Sequence, residues 1–553
     1  MRLLVPLLLA TLTLAAQATR PSEVQERRLA NGARVLLVER RGLTAFHATL
    51  AFRGGRAEES APAAGATDLM ARALFGTTWP EDLDPGKAPS QLVGLLKQEE
   101  GLLEVLRLER LRLSKDPAAA PQLAALEANL ASLQANLRTH FSTSPMADLY
   151  LAHGGRQTAE ATPDALLAHT ELPQEDFEFW CSTEAQRLRS VLLSHFSQVR
   201  STLLAELRSQ GVQGPTLLAG AALPGHPYGR DLLDYLPSLE ALRWSELRAY
   251  AHRALRPDHL TIIVVGGLSL DKALPLLERH LGALPIPPDA EEAVLPEIPA
   301  DLGDRRVQAA LGKTPRLLMG WRLPSRRHPD HLALRMAAQL LGGGQSSRLP
   351  TRLLRQKALV QQVEVSLDAP GSRLLGLLTI DLRPAPGHSL AELESALHGE
   401  ILRLQQEPIS QEEWQRALAQ LEADHLTTQD EPATLARNLA LAWAEGGDWR
   451  LLDLDQQRLR TLAPEAVQAA ARAWLKPSHR TTVLLEPTPD AVQDPLEVEL
   501  SKVLTALATA RIEDPAQREH LVAEGLRQLR MLSAEERRRT LKLLQAQLTP
   551  EKR

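Results

Sequence analysis

The sequence predicts an α+β fold made of two successive sheet-and-helix units followed by a helical tail. Three observations carry this. Strand-like and helix-like stretches alternate from residue 24 to 285, the same order of stretches returns from 314 to 487, and beyond 487 only helical patterns remain. With 553 residues, the chain has room for three to four domains of roughly 150 residues each.

Residues 1–18 place one positive charge, Arg2, before an apolar run that closes on small residues around Gln17. This predicts a secretory signal peptide, since the run is shorter than the ~20 apolar residues of a spanning helix. After its removal no later segment is long and apolar enough to span a membrane, so the expected location is periplasmic or secreted.

The first unit, 24–285, opens with strands at 33–40 and 46–54, where apolar and polar residues alternate, and continues into an amphipathic helix near Gly65. It ends on the β-branched strand 260–268 and the helix 268–282, closed by a glycine. Within it, 79–141 is a Leu, Glu and Ala-rich insert. Leu123, Leu126, Leu130, Leu133 and Leu137 step by three and four, a seam that predicts one arm of a helical hairpin. The Pro-rich and acidic stretch 286–313 reads as a linker.

The second unit, 314–487, predicts strands at 316–324, 360–368 and 373–383, helices at 328–344, 389–406 and 410–428, and a last strand at 480–487 that mirrors 260–268. The tail, 488–553, includes a capping box at Ser533 and Glu536.

Composition narrows the function classes. Aromatics are only 3% of the chain and its formal charge is −5, so neither stacking platforms nor a cationic footprint for nucleic acid is present. The single cysteine, Cys181, leaves His and carboxylates as the metal ligands available. Cys181 reads as a buried thiol, His226 as a loop-ordering residue, and His328 and His331 as a solvated helix start.

The segment FRGGRAEESAPAAGATDLMARALFGTT (52–78) resembles the pitrilysin/insulinase family of zinc metallopeptidases. Similar matches are VRSTLLAELRS (199–209), GHPYG (225–229) and LLGGGQSSRLPTRLLRQKAL (340–359), so the resemblance spans roughly 24–487. It implies two homologous α/β half-domains, each an antiparallel or mixed sheet with helices on one face, facing across a chamber that binds extended peptides by strand addition.

Family members carry H-x-x-E-H, two imidazoles one helical turn apart with a general base between them. The matching positions here are Asp68, Ala71 and Arg72, while the third-ligand position keeps its carboxylate as Glu206. Arginine is permanently protonated and has no lone pair, and alanine cannot take a proton. The expectation is therefore no catalytic residue and no zinc, with Arg72 as a counter-charge between Asp68 and Glu206.

The family's substrate-holding Arg and Tyr correspond to Arg355 and Gln361, so the tyrosine is missing. The implied function is a non-catalytic peptidase homologue of the cell envelope, acting as partner of an intact family peptidase, scaffold or peptide-binding module. The alternative is an active zinc metalloendopeptidase with unusual ligands. No nucleic-acid partner is expected.

Overall fold

The computed structural model describes residues 24–60, 63–76, 90–113, 120–139, 146–189, 196–230, 232–286, 303–488, 495–511 and 534–548, with isolated positions between the last two. The expected signal peptide, most of the expected linker and Ser533 lie outside the described residues.

Strands β1 (Gln25–Arg28), β2 (Arg34–Glu39), β3 (Ala45–Arg53), β4 (Arg156–Ala161), β5 (Ala165–Pro173) and β6 (Leu260–Gly266) form a sheet in the order β1-β2-β6-β3-β5-β4. Strands β7 (Arg305–Ala310), β8 (Arg316–Pro324), β9 (Val360–Leu367), β10 (Leu375–Pro384) and β11 (Arg480–Glu486) form a second sheet in the order β7-β11-β8-β10-β9.

The two sheets repeat one topology. In each, the last strand in sequence runs parallel to one neighbour (β2 with β6, β7 with β11) and every subsequent pair is antiparallel. The mirrored segments read at 260–268 and 480–487 are thus the equivalent strands β6 and β11. Interior position explains the apolar run of β6, which is covered on both faces; all of β6 is buried, and β11 keeps an apolar Val483–Leu485 stretch beside two buried threonines.

Helices of the first sequence half are α1 (Ala66–Gly76), α2 (Ser90–Leu113), α3 (Ala120–Thr139), α4 (Met146–Ala152), α5 (Phe177–Arg189), α6 (Phe196–Gln210), α7 (Gly214–Ala222), α8 (Leu236–Ala241), α9 (Trp244–Ala254) and α10 (Leu270–His280). Those of the second are α11 (His331–Gly342), α12 (Leu390–Gln406), α13 (Gln411–Asp430), α14 (Pro432–Gly446), α15 (Leu451–Thr461) and α16 (Pro464–Trp474), followed by α17 (Pro495–Arg511) and α18 (Ala534–Leu548).

The leucine seam is visible on α3. Leu137 is buried and Leu123, Leu126, Leu130 and Leu133 are half-buried between exposed neighbours, and Arg110 of α2 donates to Glu127 of α3 at 2.9 Å.

Phe46, Ala48, Leu50 and Phe52 of β3 point to one face of the first sheet and pack with α1, α5 and α9 in the largest core cluster. The other face carries Leu36, Val38, Ala51, Leu167, Ile263 and Val265, and it is covered by Leu435, Leu439 and Trp443 of α14, which comes from the second half.

The converse holds at the second sheet, where Leu218 of α7, from the first half, packs on Leu318, Val483 and Leu485. The helix cover expected on one face of each sheet is therefore joined by a helix exchanged between halves. Apolar side chains on the inward face require it, because a sheet hydrophobic on both sides must be covered on both.

Polar contacts follow the same exchange. Arg437 of α14 donates to both oxygens of Glu160 on β4, at 2.8 and 2.6 Å. Asp164, buried in the β4–β5 turn, accepts from Tyr228 and from the backbone N–H of Ser372 (3.2 Å) and Arg373 (3.3 Å).

Candidate functional site

Helix α1 turns Leu69, Met70, Ala73 and Leu74 into the core, as the helical period of its apolar residues requires. Its start is held by Glu59, which accepts the backbone N–H of Gly65 (2.8 Å) and Thr67 (2.6 Å). Burial pushes the Glu59 carboxyl up to about 7, against those bonds. Gly65 adopts φ +88, and a Cβ there would meet the Leu239 side chain at 2.6 Å, so this turn requires glycine.

The rest of α1 sets the positions read from the sequence. Ala71 is 7% exposed and sits in the apolar cluster. Arg72, one turn beyond Asp68, pairs with Glu206 of α6 at 2.7 Å, both side chains about 40% exposed (42% and 41%). Leu203, Leu204 and Leu207 anchor α6 in the core and leave Glu206 on its outer side.

Asp68 departs from the expectation. It is gripped by Arg56, whose Nε and Nη2 donate to its two oxygens at 2.6 and 2.8 Å. Burial opposes the charge on Arg56, but the bonds and attraction to Asp68 outweigh it and hold the guanidinium more firmly protonated than usual. Arg72 therefore serves Glu206, and a second arginine, invisible to any spacing rule, serves Asp68. The physical reason is spatial proximity: Arg56 lies on a single 3-10 turn (Arg56–Glu58) in the segment between β3 and α1, where its planar fork matches the carboxylate.

Arg355 and Gln361 are not brought to this cluster. Arg355 is exposed and donates to Thr351 Oγ1 at 2.7 Å and to the Gln345 carbonyl, fastening its own turn. Gln361 is exposed on β9, the edge strand of the second sheet.

Between the halves lies a cavity of about 240 Å³. Arg56, Tyr228 and Arg230 line it from one side and Arg316, Glu364 and Asp381 from the other. Tyr228 belongs to the GHPYG segment. His226 Nδ1 accepts the Tyr228 N–H at 3.1 Å, and the Tyr228 hydroxyl donates to Asp164 while accepting from Leu374 N–H at 3.3 Å. Burial, reinforced by the Arg230 charge, pushes the His226 imidazole down to about 4, so it stays neutral and able to accept. The sequence reading of His226 as a loop-ordering residue holds, and the loop it orders closes the cavity.

Other sequence candidates resolve simply. Cys181 is buried beside Trp180 in the core, where burial pushes the thiol up and leaves it protonated. His331 is 5% exposed and faces Asp368 at 3.2 Å, so it is a buried partner and not part of a solvated helix start.

A zinc ion does not fit the donor set at 68, 71, 72 and 206. Each carboxylate is already held by a guanidinium, the intervening side chain is a methyl in the core, and arginine offers no lone pair.

Fold and site together define a two-unit α+β protein with repeated sheet topology and a cavity between the units. The family model described as the peptidase M16 inactive domain matches residues 244–421. An uncharacterized zinc protease of Mycobacterium leprae is 24% identical over 272 residues, 48% of this chain; the chain covers 59% of that relative's length.

Among solved structures, a protease from Helicobacter pylori superposes with TM-score 0.66 at 16% identity, over 85% of this chain and 100% of that one. The first half of the periplasmic protease PqqL from Escherichia coli gives TM-score 0.61 at 14% identity, over 92% and 98%. These matches support a relationship to the pitrilysin/insulinase (M16) family of peptidases, carried in sequence by residues 244–421.

Proposed function

We propose that this protein is a non-catalytic insulinase-family homologue of the cell envelope, binding peptides between its two halves as partner subunit or scaffold for an intact peptidase of the same family. The observation that carries this is the pair of arginine clasps, Arg56 on Asp68 and Arg72 on Glu206. They occupy the carboxylates at the positions where family members hold zinc, and Ala71 removes the base that would activate water. The N-terminal segment and the likeness to one half of a periplasmic protease support the envelope location. The cavity between the halves and the edge position of strands β4 and β9 support extended-peptide binding.

The test combines metal analysis of the purified chain, a chelator-sensitive peptide cleavage assay, and capture of the mature chain from its native envelope. Substoichiometric zinc, no turnover, and co-purification of an intact H-x-x-E-H peptidase are expected. Stoichiometric zinc with chelator-sensitive cleavage would overturn the reading.

A further inference from the structure

A second cavity, of about 380 Å³, shares no lining residue with the first. It lies on the opposite face of β9, which turns Val365 and Leu367 toward it and Glu364 and Ser366 toward the first. Helices α11, α14 and α15 complete its walls with Arg335, Asn438, Leu441 and Leu452.

We propose that this second cavity binds an α-carboxylate carrying a short apolar group, with the Arg335 guanidinium as its counter-charge.

The argument starts from charge pairing. Three acids line the cavity, and each has a partner: Glu445 takes Arg326 at 2.8 Å, Asp455 lies 4.0 Å from the same guanidinium, and Asp368 faces His331 at 3.2 Å. Arg335 is half-buried and has no ion pair or hydrogen bond among the described residues. The Asn438 side chain beside it is equally without one among the described residues. Burial and the Arg326 charge weigh against the Arg335 cation, while the carboxylates of Asp455, Asp368 and Asp424 favour it without bonding to it directly.

A partly buried guanidinium whose donors bond to nothing among the described residues leaves its hydrogen-bonding fork to be filled, and a ligand carboxylate fills it. Its planar fork with a neighbouring amide suits a carboxylate. The apolar part of the lining, Val365, Leu367, Leu441 and Leu452, suits an aliphatic group and disfavours a bare inorganic anion.

The internal duplication sharpens the point. Helix α11 follows β8 as α1 follows β3, and His331-Leu-Ala-Leu-Arg335 repeats the pattern of Asp68-Leu-Met-Ala-Arg72. The first arginine has a protein carboxylate, Glu206, at 2.7 Å. Its counterpart in the second half has no direct carboxylate partner among the described residues, and it lines a cavity.

The carboxylate has two sources, a free amino acid or the C-terminus of a peptide. Calorimetric titration of the full chain with leucine, N-acetylleucine, leucinamide and inorganic phosphate separates them. Binding of N-acetylleucine alone assigns a peptide C-terminus, and binding of leucine alone assigns a free amino acid; either supports the proposal. Leucinamide and phosphate are expected not to bind. Arg335→Gln should weaken the carboxylate by about 10–100-fold, and Arg335→Lys, which keeps charge but not the fork, by about tenfold. Without ligand, Arg335→Gln should melt no lower than the parent.

Equal binding of leucinamide, binding of phosphate, no binding of either carboxylate up to about 10 mM, or an unchanged affinity in Arg335→Lys would each overturn the proposal. So would a lowered melting temperature of Arg335→Gln, the mark of a purely structural arginine.

Discussion

Arg56 holds Asp68 by two parallel hydrogen bonds of 2.6 and 2.8 Å, while Arg72, one turn further along α1, turns away to Glu206. Two arginines thus divide the work that a single one was expected to do. The inner pair is shielded (24% and 14% exposed) and the outer pair is not (42% and 41%). That difference decides their energetic weight.

Removing one partner of a charge-assisted pair with little solvent leaves the other stranded. Asp68→Ala is expected to cost about 2–3 kcal/mol, whereas Arg72→Ala, in an exposed pair, should cost about 0.2–1 kcal/mol. Denaturant unfolding of the two variants measures this directly. Equal losses would mean that Arg72 is the structural member of the cluster.

His226 provides a pH signature. Its folded value of about 4 lies below the ordinary imidazole value of 6.5, so the unfolded chain binds the extra proton first. Stability from this residue is full above about 6.5 and declines as pH falls toward 4. His226→Gln should flatten that part of the stability profile; an unchanged slope would separate His226 from the acid sensitivity.

Glu160 should titrate far below an ordinary glutamate. The two hydrogen bonds from Arg437, with the His169 ring 3.8 Å away, bring its carboxyl down to about 2. The stability from this depression is present above about 4.5 and lost as pH falls toward 2. NMR titration of the Glu160 side chain should find this low midpoint, and Arg437→Gln should raise it. The pair is partly solvated, so the stability change in that variant should stay within about 1 kcal/mol.

Leu439 lies on the exchanged helix α14, 1% exposed against the first sheet. Leu439→Ala should cost about 2–5 kcal/mol. The informative readout is hydrogen exchange: amides of β3 and β6, distant in sequence, should lose protection along with α14. Loss confined to the second half would show that the two sheets open independently.

Much of this was written in local pattern. The strand at 316–324 coincides with β8 residue for residue, and the leucine seam of α3 marks its less exposed side, because both follow from periodicities of two and about three and a half. Strands β1, β4, β5 and β7 were not read: QERR, RQTAEA and RRVQAA are short edge strands whose polar residues face water, while β5, ALLAHTELP, is an interior strand whose pattern was overlooked.

At the candidate site, the pairing of Arg72 with Glu206 was legible in the sequence. Arg56, Asp164 and Arg335 were not. Their significance comes from what the fold brings beside them, or leaves absent, and no spacing encodes that.

The exchange of α7 and α14 also sets a timetable. Strand β3 ends at Arg53, but the helix that covers its inward face ends at Gly446, so during synthesis the first sheet waits for most of the chain to emerge before its second face is sealed. Contacts of such long sequence separation close late and leave an apolar surface open meanwhile. Nascent chains stalled before α14 should therefore be the species that chaperones hold, and folding of the first half is completed by the second half's arrival.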